Sequence, residues 1–317
     1  MTVTAWVLLG VVCAIAAGLF VFEYYAGENP LLDTIYDMWL RRLDLSTLER
    51  RALANPKRAD VIVTMTTLPS RIDRIGPTIK SLLNQRVAPG GIRLNVPATS
   101  RRESQPYVVP EWLGRLRSVT ICRCDDYGPA TKLLPALMSA APAQRLIVVD
   151  DDRIYHRHFI EQMVRHADAH PDVAVAGSGW DAPADLTDRP STLTATLAGR
   201  APVPIKCTRV GRPREVDIVQ GLSGYLVEPR FFDLAELANY SGAPAAAFLV
   251  DDVWISAHCR VPKMIFKGRR TNFQSMFDTD FYQRTGLGRV NRGDGTLESR
   301  NNTIMLRYFK DRWKACR

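Results

Sequence analysis

The chain opens on an unbroken apolar run. From Val3 to Phe22 it reads VTAWVLLGVVCAIAAGLFVF, and no charge occurs before Glu23. A helix needs about 20 apolar residues to cross the hydrocarbon core of a bilayer. The pattern therefore predicts a transmembrane anchor over residues 1–25. Trp6, Tyr24 and Tyr25 stand near its ends, where amphipathic rings prefer the interface. A cleaved signal peptide would begin with basic residues, and MTVT has none. The period then changes. Leu31 to Leu53, LLDTIYDMWLRRLDLSTLERRAL, spaces apolar and charged side chains as a helix does. Residues 26–58 read as a juxtamembrane helical linker. It either lies along the membrane surface or packs on the domain as a plain solvated helix.

ANPKRAD at 54–60 marks a boundary. Beyond it, short β-branched runs alternate with helical spacing. Strands are predicted at Val61–Thr66, from Gly90, from Ser118, at Arg145–Val149 and from Val173. Helices are predicted over Arg71–Gln85, Lys132–Ser139 and Phe159–His166. This alternation predicts an α/β three-layer sandwich with a mostly parallel central sheet. Residues 180–215, rich in Pro, Thr, Arg and Ala, read as a long mobile connection. A strand-like run broken by Gly221 and Gly224 follows, then FLVDDVWISAHC from Phe248. The expected catalytic domain is 59–317, with a nucleotide-binding half over 59–180 and an acceptor half over 181–317.

Charge narrows the partners. The 317 residues carry a net charge of +9, with a pI near 9.4, which favours acidic headgroups or phosphorylated substrates. The basic residues are dispersed, and no recognition helix, zinc finger or aromatic RNA-binding pattern is present. Nucleic acid is therefore not an expected partner. Arg41, Arg42, Arg50, Arg51, Lys57 and Arg58 follow the apolar run, which places that side in the cytoplasm. The expectation is a single-pass protein of the inner (cytoplasmic) membrane with its catalytic domain in the cytoplasm. Cys13, Cys122, Cys124, Cys207, Cys259 and Cys316 are scattered without a Cys-x-x-Cys, so reduced thiols are expected and a zinc site is not.

Two acidic groups carry the candidate chemistry. RLIVVDDDRIY places Asp150, Asp151 and Asp152 behind a buried-strand pattern. Clustered carboxylates raise one another's pKa unless a cation neutralises them, and a hard divalent ion does so with oxygen ligands. A charged turn in water is the alternative. In a tight turn the first and third aspartates converge on the ion while the second turns away. FLVDDVWIS places Asp251 and Asp252 behind a second apolar run. One such carboxyl with a raised pKa suits a general base, and an Asp N-cap of the following helix is the other reading. DDYGPATKLLPAL sets Asp126 before a Gly-Pro turn and Lys132 at a helix start, a phosphate-binding arrangement. In TTLPSR, Thr66, Thr67 and Arg71 follow the first strand, where α/β folds hold nucleotides. Neither G-x-x-x-x-G-K-[ST] nor G-x-G-x-x-G occurs.

The order VIVTMTTLPSRI, SLLNQ, DDYGPATKLLPAL, LIVVDDDRIY, VDIVQGLSGYLV, FLVDDVWIS resembles nucleotide-sugar glycosyltransferases of the GT-A fold. It is most similar to glycosyltransferase family 2 enzymes of the bacterial surface-polysaccharide type. The resemblance covers about Val61 to Cys259. It implies that Asp150 and Asp152 bind Mn²⁺ or Mg²⁺. It implies that Thr66, Thr67, Arg71, Asp126, Lys132 and Asp151 bind the donor, a UDP- or GDP-sugar. It implies that Gly221, Ser223 and Gly224 form a loop near the donor sugar and acceptor. Asp251-Asp252 stands where the family usually has Glu-Asp, with Asp252 as the base of an inverting transfer. The acceptor implied is a glycan or a lipid-linked molecule. The Gln-x-x-Arg-Trp motif of processive members is absent, which argues against a polymer synthase. A non-catalytic scaffold of a membrane assembly and a metal-dependent nucleotidyltransferase remain the alternatives. His258 is open between a metal shell and a packing role.

Overall fold

The computed structural model describes residues 2–314, so Cys316 lies outside the described residues. Eight strands form the central sheet: β1 (Val61–Thr66), β2 (Gly91–Pro97), β3 (Val119–Cys124), β4 (Arg145–Val148), β5 (Ala174–Ala176), β6 (Arg214–Val216), β7 (Tyr225–Val227) and β8 (Lys263–Ile265). Their spatial order is β6-β8-β5-β7-β4-β1-β2-β3. β3, β2, β1 and β4 run parallel, as do β5 and β8, while β7 and β6 are antiparallel to their neighbours. The central strands are apolar on both faces because helices cover both. Val61, Val63 and Met65 pack into one core while Leu146 and Val148 pack into the other.

Nine helices matter here: α1 (Val3–Ala26), α2 (Pro30–Arg42), α3 (Leu45–Leu53), α4 (Gly76–Leu83), α5 (Leu134–Ser139), α6 (Phe159–Ala169), α7 (Asp251–His258), α8 (Thr279–Thr285) and α9 (Asn301–Tyr308). α1 is long and apolar enough to cross a membrane, and none of it is buried. Its last turn docks on the domain. The Tyr24 hydroxyl donates to Arg209 O (3.3 Å), Thr208 Oγ1 donates to Tyr24 O (3.1 Å), and Arg209 stacks over Tyr25. α2 and α3 pack on the domain. Leu40, Leu48 and Ala52 are buried in the same core as β1 and α4.

Three local expectations change. The helix expected over Arg71–Gln85 is a 3₁₀ turn at Ile72–Arg74 followed by α4, because Gly76 and Pro77 restart the backbone. Lys132 closes a 3₁₀ turn (Gly128–Lys132) and does not open the helix. α5 begins at Leu134 with Pro135 in its first turn. Residues 180–215 are not an unstructured connection. Val203, Ile205, Cys207 and Val210 are buried, and Ile205–Lys206 pairs with Ser178–Trp180. Their apolar side chains, interspersed among prolines, add to the core.

Candidate active site

The carboxyl ends of β1 and β4 open into one cavity of about 1050 Å³. Asp150, Asp151 and Asp152 follow β4 directly. Val149 extends the ladder by donating to Thr64 O (3.1 Å), and the Asp150 N–H donates to the Tyr155 hydroxyl oxygen (2.9 Å). The turn is thus held at its first residue. Asp151 lines the cavity but is engaged by the first loop. Its oxygens accept from Thr67 Oγ1 (2.7 Å) and Arg71 Nη1 (3.0 Å), so it braces the first loop from below. Arg71 also donates to Thr285 Oγ1 (2.9 Å) and stacks over Tyr282. Thr66 lines the cavity while donating to Asn95 O (2.8 Å).

Asp252 and Asp251 sit in the first turn of α7, whose N-cap is Val250 with no side-chain cap. The N-cap reading therefore does not hold, and the reason is Lys132. Its buried ammonium lies 2.7 Å from Asp150, 2.8 Å from Asp251 and 3.9 Å from Asp252. One cation joins the two acidic groups. Thr64 Oγ1 donates to its carbonyl oxygen (2.6 Å), fixing the backbone from β1. Gly128, at φ +61°, makes the preceding turn possible, with Phe248 O only 2.4 Å from where a Cβ would stand. Burial alone would lower the lysine's pKa, but Asp150, Asp251 and Asp252 together hold it well above the usual value.

The second carboxyl of the pair is different. Burial pushes Asp252 up to about 8. The charge of Asp251 adds to the rise, and Lys132 and the Gly221 N–H oppose it. That N–H donates to Asp252 Oδ1 at 3.0 Å. Asp252 lines the cavity, so a partly buried, weakly acidic carboxyl faces the space where a substrate would lie.

Asp152 accepts no hydrogen bond from the described residues. It has only Arg153 and Arg71 at 3.7 and 3.8 Å, and burial and its neighbouring aspartates raise it to about 6. This fits a divalent ion: two hard oxygen donors, Asp150 and Asp152, one residue apart on the cavity wall, one of them destabilised as an anion. Among the described residues, no group of three or more His, Cys, Asp or Glu is placed to hold a metal.

Other expected site residues lie elsewhere or act on the backbone. Asp126 lines the cavity, but its carboxylate accepts from the N–H groups of Arg101 and Gly128 (2.7 Å each), shaping the loop. Gly221 touches the site through Lys132. Ser223 and Gly224 do not line the cavity. Ser223 accepts from Lys206 Nζ (3.0 Å), and Gly224 lets Phe159 approach. His258 Nδ1 donates to Trp254 O (2.8 Å) in an aromatic cluster with Phe309, a packing role outside the cavity.

Sequence reasoning missed the far wall. Arg102, Arg284 and Arg292 line the cavity, and none has a carboxylate within ion-pair distance among the described residues. The last two come from the tail, beyond the motifs. Their signal was only the local excess of arginine in FYQRTGLGRVNRG.

No family model and no curated protein matches the chain. Solved structures do. GalNAc-T7, solved with UDP, GalNAc and Mn²⁺, matches at 14% identity over 64% of this chain and 41% of that one, with a TM-score of 0.42. S. aureus TarS 1–349 matches at 11% identity over 80% of this chain and 71% of that one, with a TM-score of 0.40. 4-Diphosphocytidyl-2C-methyl-D-erythritol synthase matches at 12% identity over 72% and 99%, with a TM-score of 0.42. This chain thus spans about two fifths of the GalNAc-T7 chain. At these scores the matches are a likeness of outline.

Proposed function

We propose that the chain is a membrane-anchored, metal-dependent glycosyltransferase. It moves a sugar from a nucleotide-sugar donor to a hydroxyl of a glycan or lipid-linked acceptor, with inversion, at the cytoplasmic face of the inner membrane. The observation that carries the reading is the junction made by Lys132. It holds an acidic pair suited to a diphosphate-bound metal beside a carboxyl suited to a base, in one cavity rimmed by arginines.

Asp252 takes the proton of the acceptor hydroxyl, and the oxygen attacks the anomeric carbon from the face opposite the diphosphate. A pKa near 8 makes Asp252 a stronger base than an ordinary carboxylate. Lys132 and Gly221 hold it in position. Arg102, Arg284 and Arg292 supply positive charge for the departing nucleoside diphosphate. Asp150 and Asp152 would hold the divalent ion, which supplies further neutralisation of that leaving group.

The test is thermal stabilisation of the full chain in detergent by UDP and GDP, with and without Mn²⁺. A shift with one diphosphate that needs the metal and disappears in Asp152→Asn supports the reading. Release of a nucleoside diphosphate, and not pyrophosphate, then separates it from a nucleotidyltransferase. No shift in a folded protein with any nucleotide leaves a non-catalytic scaffold.

A further inference from the structure

α2 wears its polarity inside out. Asp33 and Asp37 are buried, at 3% and 0% exposure, while Leu31, Leu32, Ile35, Met38 and Trp39 are 41–56% exposed. Those five positions recur at i, i+1, i+4, i+7 and i+8, which is one face of a helix. The orientation is fixed by charge. Asp33 pairs with Arg270, lies 3.2 Å from His156 Nε2 and accepts the Asn29 N–H (2.6 Å). Asp37 holds Arg41 (2.7 Å) and accepts from Ser275 Oγ (2.5 Å). Rolling the helix to hide its apolar face would pull both carboxylates away from Arg270, His156 and Ser275 and break these pairs.

The face continues on the neighbouring loop. Thr34 Oγ1 reaches Met276 Sδ (3.1 Å), Arg41 stacks over Phe277, and Met276 and Phe277 are 67% and 56% exposed. Contiguous apolar surface of this kind marks an interaction site. Its occupant follows from the tether. Three residues, Gly27 to Asn29, separate α1 from α2. Extended chain spans about 3.6 Å per residue, so α2 begins within about 14 Å of the end of α1. The end of α1 is itself docked on the domain through Tyr24 and Tyr25.

We propose that α2 and the Met276–Phe277 loop seat this apolar face in the interface of the bilayer that α1 enters, and so hold the cavity at the membrane surface. The inference rests on α1 being a membrane helix. α8, which begins two residues after Phe277, lends Asp280, Tyr282 and Arg284 to the cavity wall, so the seat and the site share one short segment.

The experiment uses the full chain in phosphatidylcholine vesicles whose acyl chains carry bromine near the headgroup. Emission of Trp39 is read as the difference between the parent and Trp39→Phe, and that of Trp6 as the difference from Trp6→Phe. The expected result is at least twofold quenching of both by the brominated lipid. Quenching of Trp6 without Trp39 overturns the seat and keeps the anchor. Quenching of neither overturns both. A Trp39 shielded from acrylamide yet unquenched by the lipid means that protein, such as a second copy, covers the face, and this also overturns the proposal. If Trp39→Phe does not fold, Ile35→Trp provides the same reading from the next turn.

Discussion

Burial raises the Asp252 carboxyl, Asp251 raises it further, and Lys132 and the Gly221 N–H pull it back, to about 8. The groups facing it are Lys132, Asp150, Asp251 and the Tyr225 ring. A base acts deprotonated, so the transfer rate should climb with pH and level off above about 8. Asp251→Asn removes a charge that raises this pKa, and the limb should move to lower pH. A pH–rate profile of both proteins checks it, and an unshifted limb would assign the base elsewhere. Asp252→Asn should lower the rate by about 10²–10⁴-fold, the usual worth of a general base. Its stability has a sign of its own. A carboxyl whose folded pKa lies above its unfolded value contributes stability at low pH that is lost as pH rises through the folded value. Asp252→Asn should therefore gain on the parent between about pH 4 and about pH 8, read by thermal melts across that range. Asp150, Asp152, Asp251 and Asp252 were legible in the chain because each pair follows an apolar run that had to be a buried element. The tie between them was not. Lys132 stands 18 positions before one pair and 119 before the other, and no spacing rule spans such a gap.

At the scale of elements, the site depends on how closely the β7 approach passes Lys132. A Cβ on Gly221 would stand 2.2 Å from Lys132 Nζ and 2.9 Å from Asp150 Oδ1. Neither can yield freely, because each holds the other. Gly221→Ala should cost about 1–3 kcal/mol, the range for overpacking a tight site. It should lower turnover more than melting temperature, since the displaced groups are the ones the proposed transfer uses. Equal loss in both would mean that the loop serves folding alone. The sequence showed β1 to β4 well because β-branched apolar runs between turns have few other solutions. It misjudged 71–85 and 132–139, where Gly76-Pro77 and Pro135 break the helical period locally. It also misjudged 180–215, where the prolines hid the apolar residues that pack.

Over the whole molecule, the excess of positive charge is dispersed, yet three arginines without acidic partners meet at one cavity. Two of them, Arg284 and Arg292, arrive from the tail, whose short helices have no strong period, so composition alone announced a taste for anions without locating it. The fold gathers these arginines at one cavity. A hydrogen bond to a charged group is worth about 1.5–3 kcal/mol, and 1.4 kcal/mol is about tenfold in affinity. Arg102→Gln and Arg292→Gln should each weaken nucleoside diphosphate binding by about tenfold or more. Exposed charges are screened beyond about 10 Å at 0.1 M salt. The parent should therefore bind less tightly as salt rises, and the double variant should respond less steeply. Titration calorimetry at two salt concentrations decides it. Affinities that the substitutions leave unchanged would move the diphosphate away from Arg102 and Arg292, and would leave the arginine rim to the acceptor.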